Sequence, residues 1–194
     1  MIDLKTLCLY CGSANKVDQI YLDSARDLGR LTGEKGIKLV YGGGRVGLMG
    51  VAADAALAAG GQVHGIIPHH LNDWEVGHGG LTELEIVETM HERKKRMFDL
   101  SDAFVALPGG LGTLDETFEI VTWRQLGLHD KPMVLVNIAG FWDPLIALIK
   151  HQVDCGFLLP AQLAFIIVVD NPADVFQAIA DAPTPKIDPS SKWS

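Results

Sequence analysis

Few cysteines, no excess of positive charge and no long apolar run set the first limits on this chain. Three of its 194 residues are cysteine, an odd number and too few for a disulfide framework. Cys8-Leu9-Tyr10-Cys11 has the C-x-x-C spacing. In an extended strand, however, side chains three apart point to opposite faces, and no second Cys or His pair stands at zinc spacing. The cysteines are therefore expected as reduced, packed thiols in a cytoplasmic protein. The formal charge is −8, and basic residues cluster only at Arg93-Lys94-Lys95-Arg96. Such a balance argues against non-specific nucleic-acid or membrane binding, although a small anionic ligand in a local basic pocket remains compatible with it. The first residues, with Asp3 and Lys5, do not read as a signal peptide, and no apolar stretch reaches bilayer-spanning length.

What is present is apolar residue in quantity, 48% of the chain, arranged as short runs that alternate with helical periodicity. Leu4 to Cys11 reads as a buried strand. A helix is expected from about Asp18 to Lys35, ended by Gly36. Strands follow at Ile37 to Tyr41 and Gln62 to Ile67, with an alanine-rich helix from Leu48 to Ala59 between them. Pro68 opens a stretch through Gly80 that reads as irregular. Leu84 to Val87 is a short strand and Met90 to Ser101 a helix. Then come the strand Ala103 to Leu107, a glycine turn and another helix. Met133 to Asn137 and Ala164 to Val169 read as strands, and Trp142 to Cys155 and Pro172 to Ala182 as helices. Alternating strands and helices predict one α/β domain over residues 1–182, a mostly parallel sheet with helices on both faces. Residues 183–194, rich in proline and serine, read as a flexible tail.

The chain is organised around Pro108-Gly109-Gly110-Leu111-Gly112-Thr113-Leu114-Asp115-Glu116, a strand-to-helix turn. Small residues let the backbone approach a ligand, and the first N–H groups of the helix would face an anion such as phosphate. Glu116 would sit about one turn in, within reach of whatever the phosphate carries. The same residues also fit a plain capping box, with Thr113 capping and Glu116 reaching back.

A second turn, Gly42-Gly43-Gly44-Arg45-Val46-Gly47, matches G-x-G-x-x-G, which raises a dinucleotide-binding oxidoreductase as an alternative. Yet the motif follows the second strand rather than the first, and no acidic residue waits about 20 positions on to hold a ribose hydroxyl. A loop lining a shared crevice fits better, because loops at the carboxyl ends of neighbouring parallel strands converge. Gly12-Ser13, Gly43-Gly44 and Gly110 to Thr113 all fall in such loops.

In Thr89-Met90-His91-Glu92-Arg93-Lys94-Lys95-Arg96-Met97, helical spacing puts Met90, Arg93 or Lys94, and Met97 on one face. The methionines suggest that this face turns inward, carrying an arginine toward the core or a cleft, with Lys95 and Arg96 on the solvated side. The alternative is a charged surface helix with snorkelling stems. His64, His69, His70 and His78 read as loop or pocket polar groups, and no metal-ligand cluster is evident.

These motifs together resemble the Lonely Guy family of cytokinin riboside 5′-monophosphate phosphoribohydrolases. The resemblance rests on Pro108 to Glu116 and Met90 to Lys94, with Cys11-Gly12-Ser13, Tyr41 to Gly44, Gly47 to Gly50 and Thr122-Trp123. It implies a Rossmann-like fold and a homodimer that uses no cofactor or metal. It further implies cleavage of the N-glycosidic bond of an adenine nucleotide monophosphate to free base and ribose 5-phosphate. It places the catalytic pair on Arg93 and Glu116. Substrate contacts fall on Ser13, Gly43, Glu75, Lys94, Gly109, Gly110, Gly112, Thr113 and Thr122. A non-catalytic nucleotide-binding module would use the same cradle.

Overall fold

The computed structural model describes residues 3–75 and 77–183, with the backbone alone described for residues 73–75. The tail expected over residues 183–194 lies outside this set except for Pro183. Seven strands run in the order β4-β3-β2-β1-β5-β6-β7, and every adjacent pair is parallel. They are β1 (Thr6–Tyr10), β2 (Lys38–Tyr41), β3 (Val63–Pro68), β4 (Glu83–Val87), β5 (Ala103–Ala106), β6 (Met133–Val136) and β7 (Ile167–Val169). The helices are α1 (Gln19–Glu34), α2 (Gly47–Ala58), α3 (His69–Glu75), α4 (Met90–Leu100), α5 (Leu111–Gln125), α6 (Asp143–Asp154) and α7 (Val175–Ala180). This is the Rossmann-like arrangement expected from the alternating pattern.

Strand alternation divides the core in two. Leu7, Leu9 and Cys11 face the layer that contains Ala25 and Leu28 of α1, Ala52 and Ala56 of α2, and Val175 and Ile179 of α7. Cys8 and Tyr10 face the opposite layer, with Met97 of α4 and Ile120 of α5. The two cysteines of the C-x-x-C spacing thus lie on opposite faces as free thiols. Burial pushes the Cys8 thiol up to about 12 and raises the Cys11 thiol and Tyr10 phenol well above their usual values. They are packing groups rather than nucleophiles.

The α1–α2 contact explains its own composition. A Cβ at Gly33 would come within 2.6 Å of the Ala56 carbonyl oxygen, and one at Gly29 would strike the Ala52 carbonyl. Only bare backbone on α1 against alanines on α2 permits that approach. Gly36, at φ +67°, closes the turn after α1 as expected.

Two expectations are corrected. The stretch after Pro68 is not irregular throughout, since His69–Glu75 is a helix. Its glycines gather at Gly77, Gly79 and Gly80, beyond the helix, and the segment before them contains no breaker. The apolar run before the last strand is split, with Pro160–Phe165 forming a 3-10 turn and only Ile167–Val169 pairing with β6. A short apolar run has no period that separates a strand from a buried turn. Among the described residues, no helix is long and apolar enough to cross a membrane.

Candidate functional site

The strand order reverses at β1, whose neighbours β2 and β5 lead away in opposite directions. In an open parallel sheet, the carboxyl ends beside such a reversal leave a crevice. Three loops meet there and are hydrogen-bonded in series. Gly12 N donates to the Pro108 carbonyl at 3.0 Å, and Leu48 N donates to the Gly12 carbonyl at 3.0 Å. Gly47 N donates to Asn15 Oδ1 at 2.8 Å. Gly47 has φ +58°, and a Cβ on it would come within 2.5 Å of the Ser13 carbonyl carbon, so glycine is required twice over.

A cleft of about 200 Å³ opens over these loops, lined by Cys11, Gly12, Ser13, Gly42, Met49, Arg93, Gly110 to Thr113 and Glu116. The turn beneath it is a bare helix start. The N-cap of α5 is Gly110, so Thr113 lies inside the first turn, buried, and the capping-box alternative does not hold. The first intrahelical bond runs from Leu114 N to the Gly110 carbonyl. The N–H groups of Leu111, Gly112 and Thr113 therefore have no intrahelical acceptor, and the helix dipole adds partial positive charge.

The glycines of this turn fall into two kinds. A Cβ at Gly109 would collide with the Thr113 side chain and lie 2.9 Å from Gly12 N, so packing alone demands glycine there. At Gly110 and Gly112, no atom lies within 4 Å of where a Cβ would go. Glycine inside a helix costs about 0.5–1 kcal/mol relative to alanine. At Gly112 nothing in the protein requires that cost. The open space is what a ligand drawn close to the backbone would need.

Arg93 reaches the cleft from α4. It is buried, with Nε donating to the Ile66 carbonyl at 3.1 Å and Nη2 to the Gly42 carbonyl at 2.9 Å. Its Nη1 stands 3.8 Å from Met90 Sδ. A Cβ at Gly42 would overlap the guanidinium, so the first glycine of that loop is shaped to the arginine. The inward arginine expected from the methionine spacing is thus present, with Met97 buried and Lys95 and Arg96 exposed. Two carbonyls fix the guanidinium in place at the cleft wall. Glu116, half-buried on α5, lines the same cleft.

Of the residues singled out in the sequence, the structure brings together Ser13, Arg93, Gly110, Gly112, Thr113 and Glu116. The others stand apart. Gly43 lies one residue beyond the lining Gly42, and Gly109 packs beneath the turn. Lys94 Nζ pairs with Glu119 at 3.0 Å and Asp115 at 3.1 Å, bridging α4 to α5. Burial works to lower the Lys94 ammonium's pKa, but the two carboxylates outweigh it and leave it raised. Thr122 lines a shallow depression with Glu119 and Trp123. The side chain of Glu75 lies outside the described residues. Gly42 and Met49 lie in the glycine-rich motifs but were not among the expected substrate contacts. Gly42 carried one sequence signal, a glycine directly after a strand; its place against Arg93 is visible only in the fold.

The histidines are not all the loop or pocket groups expected, since His69 and His70 open α3. His78 is buried, donates Nε2 to Asp54 at 2.9 Å and accepts from Gly80 N at Nδ1. Its own N–H reaches the Gly43 carbonyl at 3.1 Å, which ties residues 77–80 to the loop after β2. His64 is not in a loop at all but buried in β3.

The chain is similar to known proteins over most of its length. Residues 49–179 match the family model described as "Possible lysine decarboxylase". The cytokinin riboside 5′-monophosphate phosphoribohydrolase of Rhodococcoides fascians is 44% identical over 176 residues, 90% of this chain and 89% of that protein. One from Arabidopsis thaliana is 42% identical over 175 residues, 90% of this chain and 77% of that protein. Among solved structures, the molybdenum cofactor carrier protein of Chlamydomonas reinhardtii superposes with a TM-score of 0.71 at 19% identity, over 92% of this chain and 98% of that one, a likeness of fold alone. With nine-tenths of its length aligned to such relatives, the chain belongs to the Lonely Guy family, the cytokinin riboside 5′-monophosphate phosphoribohydrolases.

Proposed function

We propose that this protein hydrolyses the N-glycosidic bond of adenosine 5′-monophosphates, plain or N6-substituted, releasing the free base and ribose 5-phosphate. The observation that carries this reading is the meeting of Arg93 and Glu116, from two separate helices, over a helix N-terminus of bare glycine backbone. The N–H groups of Leu111, Gly112 and Thr113, with Ser13 opposite, hold the 5′-phosphate. That grip positions the sugar, so binding energy far from the reacting bond aligns it.

As the C1′–N bond breaks, positive charge builds on the ribose and the electron pair leaves with the base. The Glu116 carboxylate stabilises that charge and orients the water whose oxygen bonds to C1′. The water's proton ends on the departing base. Arg93, locked by the Ile66 and Gly42 carbonyls, presents its remaining N–H groups to the charge moving onto the base. Lys94, paired with Asp115 and Glu119 on either side of Glu116, holds the two helices in register.

The reading extends to a cytoplasmic homodimer. Free buried thiols suit a reducing compartment. An apolar groove beside α5, with Phe118, Val121, Ile146 and Leu163 in its lining, offers a face for a second copy.

Incubation with AMP and with isopentenyladenosine monophosphate, followed by chromatography of the products, tests the proposal. Base and ribose 5-phosphate are expected in equal amounts. Tight AMP binding with no turnover over hours would instead identify a nucleotide-binding module.

A further inference from the structure

A second cluster of chemistry-bearing side chains lies at the opposite end of the sheet. His64 sits in the first half of β3, away from the carboxyl ends that form the cleft. The β3–β4 register places it directly opposite Glu83, with Glu85 two residues on and therefore on the same face. Its side chain is 4% exposed, and its Nε2 has no hydrogen-bond partner among the described residues. A buried ring nitrogen with nothing bound to it is costly.

Both carboxylates nevertheless crowd the ring. Glu85 Oε2 stands 3.4 Å from Nε2 and Glu83 Oε2 stands 3.4 Å from Nδ1. Charge-assisted N–H···O bonds close to about 2.7–2.9 Å, and neither separation is that short. At Nε2 the separation fits a shared ion. Zinc bonds imidazole nitrogen and carboxylate oxygen at about 2.0–2.2 Å, so a nitrogen and an oxygen on one ion stand about 3.4 Å apart, as Nε2 and Glu85 Oε2 do; one ion takes one ring nitrogen, so Glu83, now beside Nδ1, joins it by turning toward the Nε2 side.

One donor atom from each of His64, Glu83 and Glu85 lies within 4.8 Å of the other two. Glu85 is also oriented from outside, because Arg96 Nε donates to both its oxygens at 2.8 and 3.0 Å. An outer-shell bond to a ligating carboxylate is a regular part of metal sites.

We propose that His64, Glu83 and Glu85 form a binding site for a divalent transition-metal ion, zinc in the first instance, with solvent completing the tetrahedron. The site staples β4, the strand at one edge of the sheet, to β3. Its role is structural, since it sits at the far end of β3 from the cleft, and the proposal stands or falls separately from the hydrolase reading.

The test is calorimetric titration of the full chain, free of any affinity tag, with zinc chloride. One equivalent is expected to bind to the wild type and none to His64→Ala. Should His64→Ala unfold, Glu83→Gln/Glu85→Gln, altered only at partly exposed side chains, carries the same test. Cys155→Ala, which removes the exposed thiol beside His151, should bind as the wild type does. At a hundredfold excess of zinc over its Kd, the wild-type Tm should rise by roughly 5 °C or more and the His64→Ala Tm should not. Absence of binding to the wild type overturns the proposal, as does equal binding when His64 or both glutamates are replaced.

Discussion

Helix α5 borders two concavities of opposite character. Its first turn frames a cleft of about 200 Å³ walled by glycine backbone, Arg93 and Glu116. Its body, with α6 and the 3-10 turn before β7, frames a groove of about 560 Å³ lined largely by Phe118, Val121, Ile146, Ile149, Leu163 and Phe165. The groove is larger and oilier, yet the smaller space is the one that gathers the groups the proposed chemistry needs. Apolar volume is left wherever side chains fail to cover one another. Bare backbone aimed at a void, with two opposite charges from different elements at its edge, is held against a cost in glycine and desolvation. The contrast makes cost, rather than size, the marker of a site.

That comparison can be broken at several points. The largest effect is expected from Glu116→Ala and Arg93→Ala, each lowering kcat for base release by about 10³-fold, of the order seen when acid–base or charge-stabilising groups are removed. Glu116→Ala should fold normally. Arg93→Ala should also lose thermal stability, because the Ile66 and Gly42 carbonyls lose their donor. Wild-type rates in both would make the cleft an ordinary surface feature.

Gly42→Ala comes next. Its methyl group would overlap the Arg93 guanidinium, so a loss of about 10²-fold in kcat/KM is expected without any change to a charged residue. For the groove, wild type should scatter light as the proposed homodimer and Leu163→Asp as a monomer, a loss of at least about 2 kcal/mol of association if the residue is central. A wild-type mass distribution for that variant would remove the groove from any role in assembly.

Gly112→Ala should separate stability from function. Alanine should stabilise α5 by about 0.5–1 kcal/mol, because nothing in the protein opposes it, while raising KM for AMP about tenfold or more. An unchanged KM would show that the turn carries no phosphate.

The smallest effect probes the sheet on which both concavities rest. The Cys8 thiol is held at about 12 when folded, against 9.0 ordinarily. Between those values the folded chain keeps a proton that the unfolded chain gives up, so stability falls as pH rises above about 9. The slope from Cys8 alone approaches about 1.4 kcal/mol per pH unit. Thermal melts of Cys8→Ala from pH 8.5 upward should decline less steeply than those of the wild type.

Much of the site was legible because its signals are local. A strand, three glycines and Glu116 in the first turns of a helix all fall within residues 103–116, and the inward turn of Arg93 follows from methionines at helical spacing. Gly42 was harder, because its reason for being glycine lies on α4, 51 positions away. Residue type offered Thr113 only as an alternative cap; the structure caps at Gly110, where packing of Gly109 against Gly12 sets the entry of the chain. The His64, Glu83 and Glu85 group could not be seen at all, since only the pairing register of two strands makes neighbours of residues 19 and 21 positions apart. Helix α3 was hidden by the glycines that follow it.

The serial wiring of the three loops carries a consequence for how a ligand arrives. Pro108, Gly12 and Leu48 form one continuous relay of main-chain bonds, so no single loop can swing without breaking its neighbour's contact. A surface finished before its guest appears leaves little ordering to be done on docking. Capture should then proceed in a single kinetic phase at a rate set by encounter and dehydration, with no slower isomerisation following it.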